Sequence, residues 1–71
     1  MSAHLRQELE KLKMKLLHLG AMAETSIEKA GFALKNLDVP MAREIISSDH
    51  LADLKEVEIE EDCLKILALH T

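Results

Sequence analysis

A chain of 71 residues with a net charge of −4, 31% charged residues and a single cysteine is one small domain at most; it cannot form an internal disulfide, and it lacks the basic bias of proteins that bind DNA or anionic membranes. No apolar run approaches the roughly 20 residues of a membrane span, no signal-peptide pattern opens the chain, and no zinc-type Cys/His spacing occurs, so the expectation is a cytoplasmic protein. Phe32 is the only residue among Phe, Tyr and Trp, which leaves no stacking platform for nucleic-acid bases.

The first predicted element is a helix over residues 3–36. Leu5, Leu9, Leu12, Leu16, Leu19, Ala23, Ile27, Ala30, Leu34 and Leu37 recur at steps of three and four, with one double step of four at Ile27, as an amphipathic helix requires. Ser2 is positioned to cap it, and a helix of this span is about 50 Å long. Gly20 and Gly31 inside it each cost about 1 kcal/mol relative to alanine and read as points of close approach. A turn within residues 18–24 is the competing reading, and periodicity continuous on both sides of Gly20 argues against it.

The concentrated breaker signal is Asn36-Leu37-Asp38-Val39-Pro40. Asp38 can accept from the amide three residues on, and Pro40 in a first helical turn has no amide to leave unpaired. Residues 37–38 therefore form the turn, and a link this short makes the flanking helices antiparallel neighbours, with position i roughly opposite position 77 − i.

The second predicted helix covers residues 39–69. Ala42, Ile45, Ile46, Ala52, Val57, Ile59, Cys63, Leu64, Ile66, Leu67 and Ala68 form a wide apolar arc. Asp49, Asp53, Glu56 and Glu60 fall in the middle of it at steps of four, three and four, the spacing of a stripe that faces a partner helix. The expectation is four acids on the seam, opposite residues 17–28, with Glu24 and Glu28 nearby. Such a cluster needs water, a cation or basic groups to offset desolvation and repulsion. Toward the termini Leu5, Leu9, Leu12 and Leu16 should meet Ile59, Leu64, Ile66 and Leu67 in a leucine-rich core.

A long leucine helix ending in LGAMAETSIEKA, a short turn, and then AREIISSDHLADLKEVEIEEDCLKILAL resembles the PhoU family, regulators of bacterial phosphate uptake. Asp49-His50-Leu51-Ala52-Asp53 is similar to that family's D-x-x-x-D element, and Asp62-Cys63-Leu64 with Leu67-Ala68-Leu69 to the end of the same helix. The resemblance implies that the chain supplies the first two helices of one three-helix repeat, without the third helix and its E-R-I-G-D type motif. It also implies a metal site (iron, manganese or magnesium) drawing on Asp49 and Asp53, and contacts with a phosphate transporter and its sensor kinase.

Hard oxygen ligands one helical turn apart suit such a cation, although two carboxylates are too few alone. Glu56 and Glu60 are expected to pair with lysines of a neighbouring chain, His50 to sit at the solvent edge, and Cys63 to act as a small buried hydrophobe. No Gly-rich phosphate loop and no Glu-x-x-His pair occurs, and Cys63 has no base to activate it, so no enzyme is expected. The fold class is all-α, a long PhoU-like antiparallel hairpin. Its wide apolar arc predicts a homodimer, a coiled-coil-like four-helix bundle. Two functions follow. One is a regulatory adaptor in phosphate uptake and starvation signalling. The other is a structural hairpin that only dimerises, for which alanine at Asp49 and Asp53 would be stabilising and without phenotype.

Overall fold

Ser2 opens the first helix: its Oγ accepts from the Leu5 amide at 3.0 Å, filling one of the donors a helix start leaves unpaired. In this computed structural model, which describes residues 2–70, α1 runs over Ala3–Asn36 and α2 over Val39–His70, one residue beyond the expected end. Together they form an antiparallel helical hairpin 51 Å long and 15 × 11 Å across. As expected, α1 is continuous through Gly20 and Gly31, and there is no strand among the described residues.

The link is tighter than its composition suggests. Leu37 takes a left-handed conformation (φ 52°, ψ 43°), and its amide and that of Asp38 both donate to the Ala33 carbonyl, closing α1. A side chain there costs about 1–2 kcal/mol, which the capping bonds offset. Asp38 then starts α2, its Oδ1 accepting from the Met41 amide at 3.0 Å and its carbonyl from Ala42 at 3.1 Å. One residue thus ends the turn and caps the next helix.

The seam is a strict heptad pattern on both sides. Residues withdrawn from solvent on α1 follow Leu5, Glu8, Leu12, Lys15, Leu19, Met22, Ser26, Lys29 and Ala33, and on α2 Met41, Ile45, Ser48, Ala52, Lys55, Ile59, Asp62 and Ile66. Alternating steps of three and four make the narrow stripe of a two-helix contact. Only Ala33 and Ile59, each 7% exposed, are buried among the described residues. Two helices alone cannot enclose more.

Several expectations are corrected here. Asp49, Asp53, Glu56 and Glu60 each follow a seam residue by one position, which turns them about 100° away from α1. All four are exposed, so water solvates them and no buried acid cluster exists within the hairpin. Leu9, Leu16, Leu64 and Leu67 are also on the surface, leaving Leu5, Leu12, Ile59 and Ile66 as the apolar seam of the terminal half. The apolar stripe read from the sequence is real; α2 covers only one edge of it.

The glycines are not close approaches within the chain either, since a Cβ added at Gly20 or Gly31 would meet nothing within 4 Å. Gly20→Ala and Gly31→Ala should therefore each stabilise the helix by about 1 kcal/mol, read as a higher midpoint in urea unfolding. A loss of stability at either would reveal a neighbour from another chain at that point.

Candidate functional site

Charge organises the seam in a way the apolar pattern does not announce. Lys15 reaches across from α1 to hydrogen-bond Asp62 and to pair with Glu58 at 3.1 Å, while Lys55 approaches Glu58 at 3.6 Å. Nearer the turn, Lys29 meets Glu44 at 3.3 Å. These pairs put Lys15 opposite Asp62, on the expected register. Lysine at seam positions buries its stem and presents its ammonium to acids at the rim.

Hydrogen bonding to Asp62 and then to Glu58 raises the Lys15 pKa from its ordinary 10.5, and the Lys15 ammonium, reinforced by Lys55, lowers that of Glu58 from 4.5. The signs fix the pH window. A depressed carboxylate stabilises the fold above its unfolded pKa and loses that contribution as pH falls through the folded value; a raised lysine contributes below 10.5 and loses it above. The ion pairs are therefore fully present between about pH 4.5 and about pH 10.5. Thermal melts from about pH 8 down to about pH 3 should show a modest acid loss, in keeping with solvent-screened pairs. Lys15→Met should flatten that loss, and an unchanged acid limb in the variant would show that other carboxylates cause it.

Asp49 and Asp53 stand one turn apart on the outer face of α2, with Glu56 and Glu60 continuing the row and His50 exposed beside it. Glu24 and Glu28 are exposed on α1. Among the described residues no further His, Cys, Asp or Glu joins Asp49 and Asp53 to make three ligand atoms around one point. The pair by itself is an incomplete cation site. Cys63 is free and half-buried.

Next to the turn the hairpin opens a mainly apolar groove of about 480 Å³ lined by Ala30, Ala33, Leu34, Leu37, Val39, Ala42, Ile45 and Ile46, with Asp38 as its one charged residue. Leu34, Leu37 and Ile46 are 78%, 86% and 61% exposed there. Heptad geometry puts this groove and the acid row on the same flank, since both follow seam positions by one residue. One surface thus carries a greasy end near the turn and an acidic middle.

Sequence reasoning missed a second cluster, at the open end. Glu8 accepts from two imidazoles at once: its Oε1 lies 2.9 Å from His4 Nε2 and its Oε2 lies 3.0 Å from His70 Nε2. His4 and Glu8 are four apart and could have been paired by eye. His70 is 62 residues further on than Glu8, and only the hairpin's register brings it there.

The sequence model of the PhoU domain matches residues 16–71, most of the chain. The chain belongs to the PhoU family. Its curated PhoU relatives include the phosphate-specific transport system accessory protein PhoU homolog of Aquifex aeolicus, 36% identical over 64 residues, which cover 90% of this chain and 29% of the relative. The PhoU protein of Escherichia coli is 31% identical over 67 residues, covering 94% of this chain and 28% of that protein. The homolog from Clostridium acetobutylicum is 37% identical over 62 residues, covering 87% and 28%. The chain thus spans less than a third of the length of these PhoU relatives. No solved structure gives a significant match. Among the described residues of this PhoU-family hairpin, no helix is long and apolar enough to cross a membrane.

Proposed function

We propose that this hairpin is a PhoU-type adaptor in the regulation of phosphate uptake and phosphate-starvation signalling, acting in the cytoplasm through protein contacts and without catalysis. The observation that supports this reading is the flank on which the exposed acids Asp49, Asp53, Glu56 and Glu60 run beside the uncovered groove at Leu34, Leu37 and Ile46. A face that combines apolar area with a row of like charges suits docking onto another protein more than exposure to water. The relatives' description as accessory proteins of a phosphate-specific transport system supports transporter components as partners in this reading, and the resemblance to the family adds a sensor kinase. In this reading Asp49 and Asp53 offer two carboxylate ligands to iron, manganese or magnesium, and the remaining ligands come from whatever helix covers that face.

The proposal also includes a homodimer. The groove accepts the same groove of a second copy, two-fold related, in a four-helix bundle.

A bacterial strain lacking its own PhoU protein and carrying a phosphate-starvation reporter tests the regulatory role. In phosphate-replete medium the wild-type chain should lower the reporter several-fold, and the Asp49→Ala/Asp53→Ala variant should lose that effect. A reporter that the wild-type chain leaves unchanged would overturn the adaptor reading and favour a structural hairpin that only dimerises. That second reading draws its support from the sixteen large apolar side chains exposed among the described residues. Because the acids are solvated, alanine at Asp49 and Asp53 would then gain only the few tenths of a kcal/mol of relieved like-charge repulsion.

A further inference from the structure

We propose that His4, Glu8 and His70 form a binding site for a divalent transition-metal cation of the zinc type, which ties the first turn of α1 to the last turn of α2. The ligand atoms of these three residues all lie within 4.8 Å of one another. A tetrahedral zinc with bonds of about 2.0–2.1 Å holds its ligand atoms about 3.3 Å apart. In this proposal, side-chain rotations at the three residues close that difference. The pieces are already oriented: both imidazoles aim Nε2 at the one carboxylate, one to each oxygen, with ring centroids 6.0 Å apart.

The donor set selects the ion. Two imidazole nitrogens and one carboxylate oxygen suit zinc and its neighbours, whereas magnesium and calcium favour all-oxygen shells. In the metal-free hairpin each Nε2 pointing at Glu8 carries a proton in order to donate to it; the cation takes the place of those protons, and each nitrogen then offers its lone pair. Three protein ligands leave a fourth position for water. Glu8 and His70 side chains retain 21% and 23% of their exposure and His4 70%, so the site is open on the His4 side to an entering ion.

Topology explains why the three meet. His4 and Glu8 lie one turn apart on a single helix face, as do the paired ligands of helical zinc sites. The antiparallel register then delivers the last residue of α2, His70, to the first turns of α1. Asp53, on the same helix, is about 25 Å from His70 along its axis, so this site is separate from the Asp49/Asp53 pair. In a hairpin with two buried residues among those described, a metal across the open end adds a closure that the apolar seam does not supply.

Zinc chloride titrated into tag-free protein, followed by calorimetry and by thermal unfolding, tests the assignment. The wild-type chain should bind one zinc per chain and melt at a temperature that rises with zinc until saturation. His4→Ala, His70→Ala and Glu8→Gln should each weaken binding by at least about tenfold and remove the rise in melting temperature. His18→Ala, at an exposed histidine elsewhere on α1, should leave both unchanged. Because His4 and His70 are exposed, helical content by circular dichroism should match the wild type in both histidine variants. Zinc affinity equal to wild type in the two histidine variants, or no zinc binding by the wild-type chain, would overturn the proposal.

Discussion

Ile59→Ala should destabilise the hairpin more than any other single truncation on α2, by about 2–5 kcal/mol. Ile59 is 7% exposed and is the large side chain of the two that are buried among the described residues, Ala33 being the other. It lies between Glu58 and Asp62 in the sequence, at the level where Lys15 crosses the seam. Small domains have little stability in reserve, with about 5 kcal/mol at the low end of the usual range, and a loss of this size leaves a large unfolded fraction. Ile59→Val should lose about 0.5–1.5 kcal/mol, and Leu69→Ala, at a position 67% exposed, should stay within about 0.5 kcal/mol. Urea unfolding followed by far-ultraviolet circular dichroism measures all three. An Ile59→Ala variant no less stable than Leu69→Ala would mean that the seam contributes little and that other contacts hold the helices together.

The second large effect concerns association. Leu34→Glu or Ile46→Glu should abolish self-association while leaving the hairpin helical, because both side chains point away from the seam and are 78% and 61% exposed. In a two-fold dimer each substitution acts twice, and burying a leucine or isoleucine is worth about 1.5–3 kcal/mol. The pair of losses weakens dimerisation by about 3–6 kcal/mol, or roughly 100-fold to 10,000-fold in Kd, before the added penalty of burying a charge. Sedimentation equilibrium at micromolar concentration reads the result. A wild-type chain that sediments as a folded 8.0 kDa monomer would assign the groove to a different occupant.

The hairpin itself was legible because its punctuation is local. Ser2 and Asp38 act through bonds to residues three or four positions away, and such bonds can be anticipated from spacing. Which face of each helix turns inward was not legible in the same way. On α1 the rows through Leu5 and Leu9 are both apolar, and the row through Glu8, Lys15 and Lys29 looks like a solvated face. The structure buries the row through Leu5 together with the charged row, because the charged row finds Glu44, Glu58, Asp62 and His70 opposite. Periodicity weighs apolarity one residue at a time and cannot see cross-helix charge pairing. That blindness put Asp49, Asp53, Glu56 and Glu60 on the seam one position out of phase. The His4–Glu8–His70 cluster was hidden for a related reason: two of its members are adjacent on a helix, and the third depends on a register that no local signal sets.

The left-handed turn at Leu37 also dictates the order in which the molecule closes and opens. The pair Lys29–Glu44 brackets a loop of 15 residues, whereas Glu8–His70 brackets one of 62; each doubling of loop length adds about 0.6 kcal/mol of closure entropy. Contacts beside the turn therefore form first and the helices zip outward. In the folded protein, amide hydrogens should exchange with solvent along the reverse gradient, fastest at the paired termini and slowest around Ala33 and Met41. Fraying of this kind opens both helices together, since neither terminal turn keeps its seam partner once the other has left.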